Sequence, residues 1–127
     1  MSVGSSSTPL GKVRGLGSAK EGAGHFIAQR VTAIANLFLI PWFLISLIFV
    51  ARGGYQRVIE FIGYPINAVF ILIAVGSTLY HMRIGMQVVI EDYIAKTGTR
   101  LFLLLLNTFI VVALFAAAAF AVLQNAT

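Results

Sequence analysis

The chain has 127 residues, of which 59% are hydrophobic and 10% charged. A soluble domain averages about 25% charged residues, and the apolar residues here gather in runs, which excludes a water-soluble core. The lack of cysteine excludes a disulfide, a thiolate-held zinc or an iron–sulfur cluster built by this chain alone, and the nine basic residues against four acidic ones, set between apolar runs rather than among aromatics, read as membrane-orienting charge instead of a nucleic-acid surface.

These properties predict an all-α membrane protein of one domain with three transmembrane helices. Residues 1–24 are rich in Ser and Gly and carry Lys12, Arg14, Lys20 and Glu21. They hold no apolar core of the length a secretory signal needs. Although they are Ser-rich and poor in acids, as an organelle transit peptide is, no cleavage site is marked. The expectation is a retained, flexible cytoplasmic arm over residues 1–24, followed by a three-helix transmembrane anchor domain over residues 25–127.

The first span runs from about Val31 to Val50 and contains no charge, just meeting the roughly 20 apolar residues that cross a hydrocarbon core. Pro41 in its middle predicts a kink. The second span covers roughly Tyr64 to Val89 and opens at the turn-like Gly63-Tyr64-Pro65. The third runs from about Leu101 to Leu123, and its alanine stretch Ala116 to Ala119 suits close helix packing.

Basic residues in the short flanks set the expected orientation. The N-terminal flank carries Lys12, Arg14, Lys20 and Arg30, and the connection between the second and third spans carries Lys96 and Arg100. The first loop has Arg52 and Arg57 with Glu60, and the C-terminal tail has no basic residue. The N-terminus and second loop are therefore predicted on the cytoplasmic side, the C-terminus on the periplasmic side.

The second span carries a polar stripe. At about 100° per residue, Ala74, Ser77, His81, Gly85, Val88 and Asp92 fall within about 40° of one direction, with Leu72, Leu79 and Met86 opposite. An ionisable group inside a span is costly, which makes His81 a functional candidate. One reading is a helix–helix interface with a histidine bonded across it. The other starts from Gly85, one turn beyond His81, whose missing side chain leaves room for something wide and flat, such as a haem whose iron is bound by imidazole. Asp92 lies about 16 Å further along the axis, at the cytoplasmic boundary beside Glu91 and Tyr93. Glu91 reads as an ordinary hydrated helix end. Tyr93 offers a phenol donor to a quinone carbonyl, and Asp92 a carboxylate that orients a base or relays protons. Arg83 points away from His81, toward head groups or a haem carboxylate.

The run from His81 through Arg83, Gly85 and Val89 to Asp92-Tyr93 resembles the HxRxGxxxVxxDY signature of the succinate dehydrogenase hydrophobic membrane-anchor family, in its bacterial form. The segments Arg14 to Lys20, His25, and Gln29-Arg30-Val31-Thr32-Ala33 resemble the same family, and the likeness extends from about Val13 to Leu123. The resemblance implies that His81 is an axial ligand to the iron of haem b, that Tyr93 and Asp92 border a ubiquinone site, and that His25 and Arg30 approach the haem propionates. The spacing of those last two differs by one residue from the enterobacterial form. The chain has two histidines, and His25 precedes the first span, so a bis-histidine haem must take its second ligand from another polypeptide. The implied partners are a second membrane-anchor polypeptide of cytochrome b type, an iron–sulfur subunit, a flavoprotein subunit and membrane lipid, with no nucleic acid. The chain is then no dehydrogenase on its own but contributes to the quinone-reduction site, in a bacterial inner membrane or, as the alternative, a mitochondrial one. Two rival readings are the cytochrome b anchor of a fumarate reductase and a small membrane transporter or assembly protein. Against the transporter, the spans hold no acidic residue at mid-membrane and no inverted repeat.

Overall fold

A computed structural model describes residues 19–127, with side chains from Gly22 onward. Of the arm expected over residues 1–24, residues 1–18 lie outside the described residues, and residues 19–24 are helical. Four helices follow: α1 Ala19–Ala51, α2 Tyr55–Gly63, α3 Pro65–Tyr93 and α4 Thr97–Ala126. Three of them are long and apolar enough to cross a membrane.

The first helix extends beyond its apolar run because nothing before Val31 stops it. Gly22 and Gly24 weaken the helix by about 1 kcal/mol each, but no proline precedes Pro41 in the described part. Its 33 residues make about 50 Å of helix, against about 30 Å of hydrocarbon. His25 therefore belongs to α1 itself rather than to a segment ahead of it. The helix runs on through Pro41 and ends at Gly53 and Gly54, whose amides donate to the carbonyls of Val50 and Ala51 at 3.0 and 3.1 Å. Gly54 has φ +87°, a conformation that side-chain-bearing residues rarely take.

The charged loop expected after the first span contains α2. Val58, Ile59, Phe61 and Ile62 are half-buried while Tyr55, Gln56, Arg57 and Glu60 face out: an amphipathic pattern at helical spacing. Pro65 then begins α3 at the expected turn, with Tyr64 held extended (φ −67°, ψ 128°), as a residue before proline prefers.

Inside a membrane, apolar contact alone does not drive helices together; close packing and interhelical hydrogen bonds do. The middle helix, α3, supplies five of the seven buried apolar residues: Ala68, Ile71, Ala74, Ile84 and Ile90. It lies antiparallel to both neighbours. At one end, Ala68, Ile71 and Val122 form a cluster covered by Trp42, Phe43, Phe61 and Ile62. The Trp42 ring meets Phe70 edge-on at 5.6 Å and tilts over Phe61 at 6.1 Å. Gly63 abuts the carbonyl of Asn125, where any Cβ would collide. The α2 end is thus tightly closed. The alanine stretch of α4 is only partly used: Ala118 and Ala119 are half-buried, whereas Ala116 and Ala117 are exposed.

Candidate functional site

His81 stands on α3 where that helix crosses α1. Its Nδ1 lies 3.0 Å from the Thr32 hydroxyl oxygen, which is itself 2.7 Å from the Ala28 carbonyl and 3.2 Å from that of Gln29. One turn earlier on α3, the Ser77 hydroxyl donates to the Thr32 carbonyl at 3.2 Å. Thr78 donates to Asn36 Oδ1 at 3.4 Å. Ala74, Ser77 and His81, the first half of the stripe, therefore form an α1–α3 interface with a histidine bonded across it.

The second half does something else. A cavity of about 460 Å³ opens beside His81, lined by His25, Phe26, Gln29, Arg30 and Ala33 of α1 and by His81, Ile84 and Val88 of α3. Gly85 is half-buried, yet a Cβ built there would meet nothing within 4 Å. Its missing side chain is not required by packing within the chain. Val88, further along the stripe, lies at the cavity's exposed edge, and Asp92 is exposed beyond it.

The cavity joins three of the residues expected to act together: His25, Arg30 and His81. The Arg30 guanidinium lies over the Phe26 ring at 5.0 Å, a cation–π contact that leaves its hydrogen-bond donors available. Thr32, not His25, stands opposite His81. His25 lies seven residues before Thr32, about 10 Å along the α1 axis, toward the rim. The Gln29 Oε1 atom is buried without a hydrogen-bond partner. Among the described residues, no three of His, Cys, Asp or Glu gather around one point. A lone imidazole suits a metal already held by other donors, as in a macrocycle, better than a bare ion.

The remaining expected residues lie elsewhere. Arg83 turns to α4: its Nε donates to Thr108 Oγ1 at 3.3 Å, and the Asn107 amide donates to the Arg83 carbonyl at 3.1 Å. It lines a separate, mostly apolar cavity with Gly76, Tyr80 and Phe115, so the structure does not bring it to His81. Asp92 and Tyr93 close α3; both are exposed, Tyr93 to 81%, and neither lines the His81 cavity. Glu91 accepts a hydrogen bond from Gln87 at 3.0 Å, in keeping with a hydrated helix end.

Sequence reasoning found His25 and Arg30 on the α1 side of the site but missed the polar residues of α1 that stand nearer to His81. Gln29, Thr32 and Asn36 are polar residues at helical spacing on a helix that is otherwise mostly apolar beyond Arg30. That pattern was the available signal.

Three apolar spans, a polar crossing between two of them and a one-sided cavity beside its histidine define a helical membrane-anchor protein with a candidate cofactor wall. The chain belongs to the succinate dehydrogenase/fumarate reductase transmembrane subunit family, whose model matches residues 5–122. It is 40% identical over 89 residues to the succinate dehydrogenase hydrophobic membrane anchor subunit of Rickettsia bellii (strain RML369-C), covering 70% of this chain and 71% of that protein. It is 37% identical over 103 residues to the protein of the same name from Rickettsia conorii (strain ATCC VR-613 / Malish 7), covering 80% and 76% respectively. To that of Paracoccus denitrificans it is 32% identical over 93 residues, covering 73% and 71%. The family read from the second-span motif is thereby borne out. No solved structure matches the chain significantly.

Proposed function

We propose that this chain anchors a succinate:ubiquinone oxidoreductase in a bacterial inner membrane, holds haem b together with a second anchor polypeptide, and forms one edge of the ubiquinone site. The observation that carries the reading is the cavity in which His81, His25 and Arg30 meet beside the open space over Gly85. The residues fit the group. His81 would hold the iron through a ring nitrogen, Gly85 would leave room for the macrocycle, and Arg30 and His25 would offer donors to its carboxylates. Bound haem would supply a one-electron carrier; the rest of the work belongs to the protein. The cavity has walls from only two helices, so the remaining ligand and wall would come from the partner anchor.

Tyr93 and Asp92, nearer the predicted cytoplasmic surface, serve the quinone. The Tyr93 phenol donates a hydrogen bond to a quinone carbonyl. Asp92 passes protons inward as two electrons from the iron–sulfur subunit and two protons convert ubiquinone to ubiquinol. The N-terminus and α3–α4 connection face the cytoplasm and the peripheral subunits. The relatives named above carry the succinate dehydrogenase name, which favours succinate oxidation over fumarate reduction.

Mild-detergent purification of the tagged chain tests the reading. Flavoprotein, iron–sulfur and second anchor subunits should co-purify with a reduced-minus-oxidised b-type spectrum, and His81→Ala should weaken or abolish that spectrum. A chain that purifies alone, or an unshifted spectrum in His81→Ala, would sink it.

A further inference from the structure

We infer that Thr32 is a positioning residue for His81: its hydroxyl oxygen accepts the Nδ1 proton and so leaves Nε2 as the unprotonated nitrogen, the one able to bind iron. The inference rests on the haem reading of His81 given above. A threonine hydroxyl has one proton. Two oxygens 2.7 Å apart, as Thr32 Oγ1 and the Ala28 carbonyl are, need a proton between them, and the carbonyl has none to give. The hydroxyl proton is therefore committed to the backbone, with the Gln29 carbonyl at 3.2 Å sharing it. Threonines in helices commonly make this bond to the preceding turn.

Toward His81, only the lone pairs of the hydroxyl remain. At 3.0 Å the contact is a hydrogen bond only if Nδ1 carries the proton. The neutral ring is then the Nδ1–H tautomer. Its second nitrogen has a free lone pair and, among the described residues, no hydrogen bond. The acceptor is also fixed in place: Ser77, one turn from His81 on α3, donates to the carbonyl of the same Thr32 at 3.2 Å. One residue of α1 thus receives two bonds from one face of α3, which sets both the tautomer and the ring's rotation.

An acceptor at the distal ring nitrogen raises the electron-donating power of a metal-bound imidazole. It favours the ferric over the ferrous state and keeps the haem potential lower than a free imidazole would. Thr32 itself touches neither iron nor porphyrin. It acts through His81.

The test uses the intact complex in its membranes, with haem potential measured by redox titration and ferric haem by electron paramagnetic resonance. Thr32→Val keeps the shape and removes the acceptor; Thr32→Ser restores it. The expected result is an upward shift in potential and altered low-spin g values in Thr32→Val, and wild-type values in Thr32→Ser. Thr32→Ala, carried in parallel, should behave as Thr32→Val. Haem lost from Val and Ala variants whose subunits still co-purify also supports the assignment. Wild-type potential and g values in Thr32→Val would overturn it. So would failure of both variants to assemble beside a normal Thr32→Ser complex, since the contact would then be only a helix staple. His81→Ala separates the two levels. Haem lost there with Thr32→Val unchanged removes the Thr32 role alone, whereas haem retained unshifted removes the parent reading as well.

Discussion

Two glycines on the same stretch of chain are glycine for different reasons. Gly63 has a backbone carbonyl where its side chain would be, and Gly85 has nothing there. A bulky residue at 85 should therefore leave the chain's own packing intact while filling the proposed haem space. Gly85→Leu is expected to leave the haem-free chain no less stable, and by helix propensity up to about 1 kcal/mol more stable, yet to cut the haem content of the assembled complex severely. Pyridine haemochrome assay against protein gives the answer, and full haem occupancy would remove Gly85 from the site. Tyr93 tests the other half of the stripe. Loss of one hydrogen bond of about 1–2 kcal/mol predicts that Tyr93→Phe slows succinate–quinone reduction roughly tenfold, with succinate–dye reduction largely kept; equal loss of both would point to misassembly. Ionisable residues made this scale readable from sequence, because a histidine or arginine in an apolar run stands out energetically. Thr32 and Gln29 did not stand out. A hydroxyl on a membrane helix normally bonds its own backbone, as Thr32 does, and only the partner helix shows that its second valence is in use.

At the scale of elements, α2 is the piece that hydropathy alone leaves out. Nine residues are too few for a span, and their charges disguise the half-buried set Val58, Ile59, Phe61 and Ile62. The helix matters because Phe61 reaches Trp42 and its last residue, Gly63, meets the end of α4. Gly63→Val should force those two elements apart at a cost of about 1–3 kcal/mol, the usual range for overpacking. Thermal denaturation of the purified complex should register it as a lower midpoint with the haem spectrum unchanged at low temperature. The three spans themselves were legible in the sequence, since a run of some 20 apolar residues has few other uses. Their ends were not. A helix continues until a breaker stops it, whatever the membrane's thickness, so α1 and α3 run past their apolar runs to Ala19 and Tyr93.

For the molecule as a whole, burial is sparse: seven residues among those described are buried, all of them apolar. Large side chains such as Leu37, Phe38, Phe109 and Phe120 are two-thirds or more exposed and have lipid or other helices for company. Expressed without partner subunits, the chain is expected to insert but to be degraded faster than in the complex, which pulse–chase labelling would measure; equal half-lives would count against an obligate partnership. Orientation is open to a simple reporter. Alkaline phosphatase fused after Thr127 should be active and fused after Lys96 inactive, and the reverse pattern would invert the topology drawn from the basic flanks.

The contrast between the bundle's two ends bears on the order of events during biogenesis. One end is stapled by aromatic rings and a backbone-tight glycine, while the other holds its two helices together through a threonine, a serine and a histidine and leaves a mouth between them. A clothes-peg has this design: the spring sits at one end, and a flat object slides in at the other without dismantling it. With haem b as the occupant proposed above, the chain need not unfold to be loaded. In cells starved of haem precursor, apo-anchor should accumulate in the membrane, and resupply after translation is blocked should restore the b-type spectrum from protein already made.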